Sequence, residues 1–382
     1  MRNVSIVGIG QTAAGEHWDR SLRDLGVDAM VAAMRDAAVE RVDALYVGNM
    51  LGGELASQEH MGALLSDWAG LGNIEAMRVE AADASGAAAV RMGYLAVASG
   101  AQDIVLVCGV EKTTDADDAS IDEAWAYGTD NVYEASQGLS MAAIGGLLMR
   151  RYMHEFGVQR EDFAPFAVNA HANGANNSHA MFRAPISAEA YAKAGMVADP
   201  ISMFDVAPLC DGAAALVLCP TERVSEFGSK PVSIRASAVA TGRVALHSRT
   251  DPVFLQAAYL SSQQAYLQAG VGPQEVDLFE LHDVLSVLAA MSLEACGFAE
   301  RGKGTRLALN GGIVLKGQIP ISTMGGLKAR GHPIGATGVY QIVEVVQQLR
   351  GEAGANQIDC HLGMAQSLGG TGGTAITHIL ER

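Results

Sequence analysis

Apolar positions along the chain fall into short unbroken runs separated by longer stretches with an apolar residue at every third or fourth position. The run Val4-Ser5-Ile6-Val7-Gly8 has the length and continuity of a strand covered on both faces. Helical periodicity follows over about 21–40, with Ser21 as the predicted N-cap and Asp24 three residues on, close to a capping box. A second strand is predicted over 42–48. From residue 231 the same order returns: a strand starting at 231–234, an amphipathic helix over about 253–270, and a strand over 276–282. These segments stand about 230 residues after their counterparts.

The parallel extends further. Ala84-Ser85-Gly86 opens an Ala-rich helix to about Ser99, followed by a strand over 103–107. Ala336-Thr337-Gly338 opens a helix to Arg350, followed by a predicted strand over 357–360. The closing strands, 211–218 and 371–378, are only about 160 residues apart. The N-terminal copy therefore carries about 90 extra residues, between roughly 112 and 205. That insertion is helical and more polar, with Arg150-Arg151-Tyr152-Met153-His154 and a run rich in Asn, His and Ala over 169–180. Strands alternating with helices imply βαβ units and right-handed crossovers. The expected organisation is an N-terminal half over 1–225 containing the insertion, and a C-terminal half over 226–382.

Composition narrows the function. The chain has 382 residues, 49% apolar and only 18% charged, with 44 glycines. That is too apolar for disorder and long enough for a large core. A net charge of −16 argues against a nucleic-acid partner, because phosphate neutralisation needs clustered Lys and Arg. The N-terminal segment has no signal-peptide pattern, and no apolar run is long enough to span a bilayer. Cys108, Cys210, Cys219, Cys296 and Cys360 are scattered and lack C-x-x-C spacing, so reduced, buried thiols of a cytoplasmic protein are expected, with no metal site. The opening VSIVGIGQT lacks the third glycine of a dinucleotide-binding turn and reads as a tight turn after a strand.

Three segments carry sharper chemistry. In Met324-Gly325-Gly326-Leu327-Lys328-Ala329-Arg330-Gly331-His332-Pro333-Ile334-Gly335-Ala336-Thr337-Gly338 a His sits on a glycine-rich turn just before a helix. Glu280-Leu281-His282-Asp283-Val284-Leu285 ends a buried strand in a second His. Val79-Glu80-Ala81-Ala82-Asp83-Ala84-Ser85-Gly86 places Asp83 at a strand-to-helix turn, in the repeat position of Gly335. Together with the duplication, these segments resemble the thiolase superfamily over essentially the whole chain. The resemblance is to its archaeal and SCP2-like, acetyl-CoA acetyltransferase-like branch. It implies an α/β, five-layered αβαβα fold of two duplicated βαβ halves, with the insertion as a helical loop domain.

In that family a Cys at the N-terminus of a buried helix attacks an acyl-CoA thioester, one His activates it, and another helps to hold an enolate oxygen. His332 and His282 match the two histidines, and Asp83 stands at the nucleophile position. Gly331, Gly369 and Gly370 are the implied CoA-contacting glycines. Gln366 and Ser367 lie in the C-terminal glycine-rich segment where the family presents a His-Asn or Cys-x-Gly. A carboxylate accepts hydrogen bonds and is a far poorer nucleophile toward a thioester than a thiolate. The resemblance therefore implies an acyl-CoA-binding protein acting on carbon–carbon bonds by Claisen-like, aldol-like or decarboxylative chemistry, without an acyl-Cys intermediate. A related branch that performs retro-aldol cleavage carries Tyr in place of these histidines, which ranks that activity lower. The alternatives are a catalytically degenerate subunit that binds CoA thioesters or a partner, or a thiolase with a designed change at Asp83. No tightly bound cofactor is expected; coenzyme A enters as the substrate thioester. Expected partners are a second copy, as a homodimer or tetramer, and a small zinc-ribbon/OB-fold subunit, with no nucleic acid and no membrane. Cys360, His361 and His378 are expected to be structural, and His171 and His179 to be solvated loop residues.

Overall fold

The computed structural model describes residues 2–382. Among the described residues, eleven strands and eleven α-helices follow one another. The N-terminal part runs β1 (Val4–Gln11), α1 (Leu22–Ala37), β2 (Ala44–Gly48), α2 (Met61–Trp68), β3 (Glu75–Val79), α3 (Ser85–Ser99) and β4 (Val105–Glu111). The insertion contributes α4 (Asp118–Ala126), α5 (Met141–Phe156), α6 (Ala164–Gly174), α7 (Ala188–Ala192) and the small pair β5 (Met196–Ala198) and β6 (Ile201–Ser202). The chain then forms β7 (Gly212–Pro220), β8 (Val232–Thr241), α8 (Gln256–Ala269), β9 (Leu278–Glu280), α9 (Ser286–Ala295), α10 (Gly304–Leu309), α11 (Thr337–Arg350), β10 (Leu362–Gly369) and β11 (Thr374–Glu381).

Nine strands form one sheet in the order β3-β2-β4-β7-β1-β8-β11-β10-β9. The two halves meet where β1 pairs antiparallel with β8, Val4 opposite Ile234. Outward from that seam, β1-β7-β4-β2 and β8-β11-β10-β9 repeat one order with the same directions: antiparallel, antiparallel, then parallel. The duplication read from the hydrophobic pattern is thus a duplication of strand topology. One pairing needs correction. The strand expected over 357–360 is not formed, because the Asp277 carboxylate takes the N–H groups of His361 and Leu362 and the ladder begins only at Leu362. The counterpart of β4 is β10.

Helices fill three layers. Leu25, Met30 and Ala33 of α1 pack on Val7, Leu45 and Val217. Ala257, Ala258 and Ala265 of α8 pack on Ala236 and Ala238. Between the halves lie α3 and α11, whose Val90, Val97, Val339 and Ile342 share a core with Val107, Leu216 and Ile234. Ser21 completes a reciprocal capping box with Asp24 at α1. All five cysteines are buried and free. No helix among the described residues is long and apolar enough to cross a membrane.

The central helices touch backbone to backbone. A Cβ at Gly86 would lie 2.7 Å from the Gly335 carbonyl oxygen and 3.0 Å from the Val339 nitrogen, and one at Gly48 would lie 2.5 Å from the Gly86 Cα. None of these neighbours is a flexible side-chain tip. Gly86→Val is therefore expected to lower stability by about 1–3 kcal/mol or more, read as a lower urea midpoint. An unchanged midpoint would show that the two helices can part freely.

Candidate active site

Asp83 is placed by a strained turn. Between β3 and α3, Ala82 takes φ 52°, a left-handed value that a Cβ-bearing residue holds only when its surroundings impose it. Ser85 locks the turn: its Oγ accepts from the Ala81 N–H at 3.0 Å and donates to the Ala82 carbonyl at 2.5 Å. The carboxylate then points inward at the N-terminal end of α3, where the macrodipole favours an anion.

Three donors meet it there. Trp125 Nε1–H donates to Oδ1 at 2.6 Å, His332 Nε2 lies 3.1 Å from the same oxygen, and the Gly370 N–H donates to Oδ2 at 2.8 Å. Asp83 is 1% exposed. Burial alone would raise its pKa, but the hydrogen bond and charge of His332 outweigh burial and the net shift is downward. The group is an ionised carboxylate.

His332 follows Gly331, whose φ of 109° belongs to glycine. Its backbone N–H donates to the Pro208 carbonyl at 2.9 Å, and its Nδ1 lies 2.7 Å from Thr337 Oγ1. An ionised Asp83 can only accept, so Nε2 carries a proton toward it, and Nδ1 is held by the threonine hydroxyl. His282, just past β9, crosses His332 edge-on with ring centroids 5.3 Å apart. It is fully buried, and burial pushes its pKa down to about 3. Neither of its ring nitrogens has a hydrogen-bond partner among the described residues.

Buried ionic groups hold the two histidine segments in place. Glu111 accepts from the N–H groups of Met50, Leu51 and Gly335 and from Asn49 Nδ2, and burial raises its carboxyl to about 7. Asp283 accepts from the Leu327 N–H at 2.8 Å, Glu280 accepts from the Thr323 N–H and hydroxyl, and Arg330 pairs with Glu344 at 2.9 Å. Asp283 and the Arg330–Glu344 pair fix the single π-helical turn Gly326–Arg330, and Glu280 and Glu111 hold the chain on either side of it at Thr323 and Gly335.

Asp83, His282 and His332 lie together, with a ring nitrogen or carboxylate oxygen of each within 4.8 Å of the others. Gly369 and Gly370 face the Asp83 turn, with a Cβ at Gly369 falling 2.6 Å from the Ala81 carbonyl oxygen. Gly331 packs instead on Cys210 and Ala14. Gln366 and Ser367 do not lie on an active-site loop. Both are in β10, whose ladder to β11 runs from Leu362 to Gly369, and the turn between the two strands comes only after it, over 370–373. Gln366 bonds Thr377 Oγ1 and the Ala258 carbonyl, and Ser367 bonds Gln341, so both side chains serve the core. His171 is also corrected: it lies in α6, 6% exposed, stacked on Phe182. Trp125, Thr337 and Glu111 were missed. Glu111 alone gave a signal, an acid closing the apolar run Val105-Leu106-Val107-Cys108-Gly109-Val110.

Residues 4–222 match the family described as Thiolase, N-terminal domain, and residues 238–382 match Thiolase C-terminal domain-like. The chain belongs to the thiolase family. An acetyl-CoA acetyltransferase of Methanothermobacter thermautotrophicus is 44% identical to this thiolase-family chain over 385 residues, covering 100% of both. The benzoylsuccinyl-CoA thiolase subunit BbsB of Thauera aromatica is 30% identical over 94% of this chain and 92% of its own length. Among solved structures, the Ltp2-ChsH2(DUF35) aldolase aligns with TM-score 0.87 and 26% identity, over 99% of this chain and 97% of that one. The chain is thus a thiolase-like CoA-thioester protein with a thiolase α/β fold.

Proposed function

We propose that this thiolase-family chain cleaves or forms carbon–carbon bonds of CoA thioesters by an aldol-type reaction, without an acyl-enzyme intermediate. The observation that carries the reading is the buried, ionised Asp83 carboxylate, 3.1 Å from His332, at the helix turn where the family places its nucleophile. Claisen cleavage needs an acyl acceptor, which a carboxylate supplies poorly. Aldol cleavage needs none. Asp83 takes the proton from the 3-hydroxyl of a 3-hydroxyacyl-CoA while the His332 Nε2–H holds its carboxylate in place. The C2–C3 bond then breaks, leaving an aldehyde or ketone and the enolate of a shortened acyl-CoA. Donation from the unpartnered His282 ring steadies the enolate oxygen, and the proton returns to C2. The aldolase at 26% identity raises this route, which the two histidines alone had ranked lower. The DUF35 subunit in that aldolase assembly supports a small partner for this chain, of the zinc-ribbon/OB-fold kind. A cytoplasmic homodimer or tetramer fits the buried free thiols and low charge.

The test is to incubate the chain, alone and with such a partner, with 3-hydroxyacyl-CoA and with 3-oxoacyl-CoA plus CoA. Carbonyl product is expected only from the first substrate, with Asp83→Asn reducing the rate by about 10²–10⁴. Thiolysis by the parent chain would overturn the reading. The satisfied carboxylate favours a second reading, a non-catalytic CoA-thioester-binding subunit, and tight acyl-CoA binding with no turnover on either substrate would establish it instead.

A further inference from the structure

We propose that α4 and the chain around it, residues 114–140, form a lid over Asp83, His282 and His332, latched by Trp125, that must move aside before a CoA thioester can bind. Asp83 is 1% exposed and the two histidines are 0% exposed, so all three are covered on every side. A reacting atom has to come within about 3–3.5 Å of such groups. Part of the cover therefore moves. Most of the cover is core: α3 and α11 share one apolar cluster with strands of both halves, and β9 lies within the sheet. Residues 114–140 differ. Only Ala124, Trp125, Ala126, Thr129 and Glu134 are buried there, while Tyr127, Val132 and Tyr133 face solvent. A segment with so few buried contacts opens at low free energy. It also has somewhere to go, because Ala126 and Tyr127 of α4 face Leu139 and Ser140 across an open cavity of about 810 Å³.

Three contacts hold this segment shut. The Trp125 indole is the inner one, with Nε1–H on Asp83 Oδ1 at 2.6 Å and its ring edge-on to His332 at 6.0 Å between centroids. The Gly128 carbonyl closes the middle, lying 2.3 Å from where a Cβ on Gly370 would stand, so it roofs the turn that faces Asp83. The outer contact reaches the C-terminal half. Glu134 accepts from the Leu246 N–H at 2.5 Å, and the Tyr133 ring meets His247 edge-on at 4.9 Å. The latch covers the face of Asp83 that a ligand has to reach. It therefore works against binding, whereas a tryptophan that only filled space would support it.

The lid rests on the chain taking a CoA thioester at this site, and not on the cleavage step. The chain has three tryptophans, and Trp18 and Trp68 are exposed, so Trp18→Phe with Trp68→Phe leaves Trp125 as the sole reporter. Acrylamide quenching of that full-length protein is measured free and with acetyl-CoA at saturation, which calorimetry establishes. The quenching constant is expected to rise at least about 3-fold on binding, with emission moving to the red. Trp125→Phe, which keeps the ring and removes the N–H, is expected to bind acetyl-CoA about 10-fold more tightly than the parent. An unchanged quenching constant with ligand bound, or a folded Trp125→Phe variant that binds no more tightly, overturns the lid; no acetyl-CoA binding at all does the same. Exposure of Trp125 without cleavage of 3-hydroxyacyl-CoA leaves the lid standing and removes the cleavage reading. Cleavage by protein whose Trp125 stays shielded does the reverse.

Discussion

Asp83→Cys is expected to confer acetoacetyl-CoA thiolysis, with a rise of at least about 10²-fold over the parent and full sensitivity to iodoacetamide. The turn, the N-terminal end of α3 and His332 are the features that lower a thiol's pKa and accept its proton. The shorter side chain also gives up the Gly370 N–H, which then faces the position where a thioester oxygen gathers charge. The background is quiet. Burial pushes Cys108, Cys210, Cys219 and Cys296 up to about 12 and Cys360 up to about 11, so none competes for the reagent. Adding His332→Ala to the variant should return the rate to the parent level. A folded variant that titrates one more reactive thiol yet gains no thiolysis would mean that the site lacks the rest of the thiolase machinery.

Glu344→Leu should be among the most damaging single changes outside the site. Arg330 and Glu344 are 0% and 1% exposed, and the guanidinium lies 4.8 Å from the Tyr340 ring centroid. Removing the acid leaves a buried cation unpaired, a loss of about 3–5 kcal/mol. In a chain of this size that corresponds to a Tm lower by roughly 4–6 °C. Arg330→Met added to Glu344→Leu should recover most of the loss, because a well-packed apolar pair replaces the ion pair at little net change. Calorimetric scans of the parent, both single variants and the double variant test this. A double variant as unstable as the worse single one would show that the pair acts by positioning Gly331-His332, whose carbonyl Arg330 also holds at 2.8 Å.

The sequence reached the chemistry and the architecture by different routes. His282, His332 and Asp83 were legible because each sits in a compact segment whose glycine and small-residue pattern fixes a turn. The duplicated halves were legible because strands covered on both faces leave unbroken apolar runs. Boundaries were not legible where the two signals collide. Met364-Ala365-Gln366-Ser367-Leu368-Gly369 reads as a loop from its glycines and polar pair, yet interior sheet neighbours on both sides draw it into a ladder. Trp125 had no local signal. It meets Asp83 across 42 residues only because the insertion folds back over the α3 turn. His171 was misread for a related reason, since the polar run around it becomes α6 and its end, where Asn173 and Asn177 hold the Ser322 and Met324 carbonyls just ahead of the Gly326–Arg330 turn.

The seam between the halves also sets a schedule for biosynthesis. Helix α3 is rich in alanine and valine, and its other face is covered by α11, which ends at Arg350. On a ribosome adding about 5–20 residues per second, α3 leaves the tunnel on the order of 10–50 s before α11. Throughout that interval the first half presents an apolar helix face and the unpaired edge of β1, both awaiting partners that have not been made. A nascent chain of this design depends on protection from its neighbours on the polysome until translation is nearly complete.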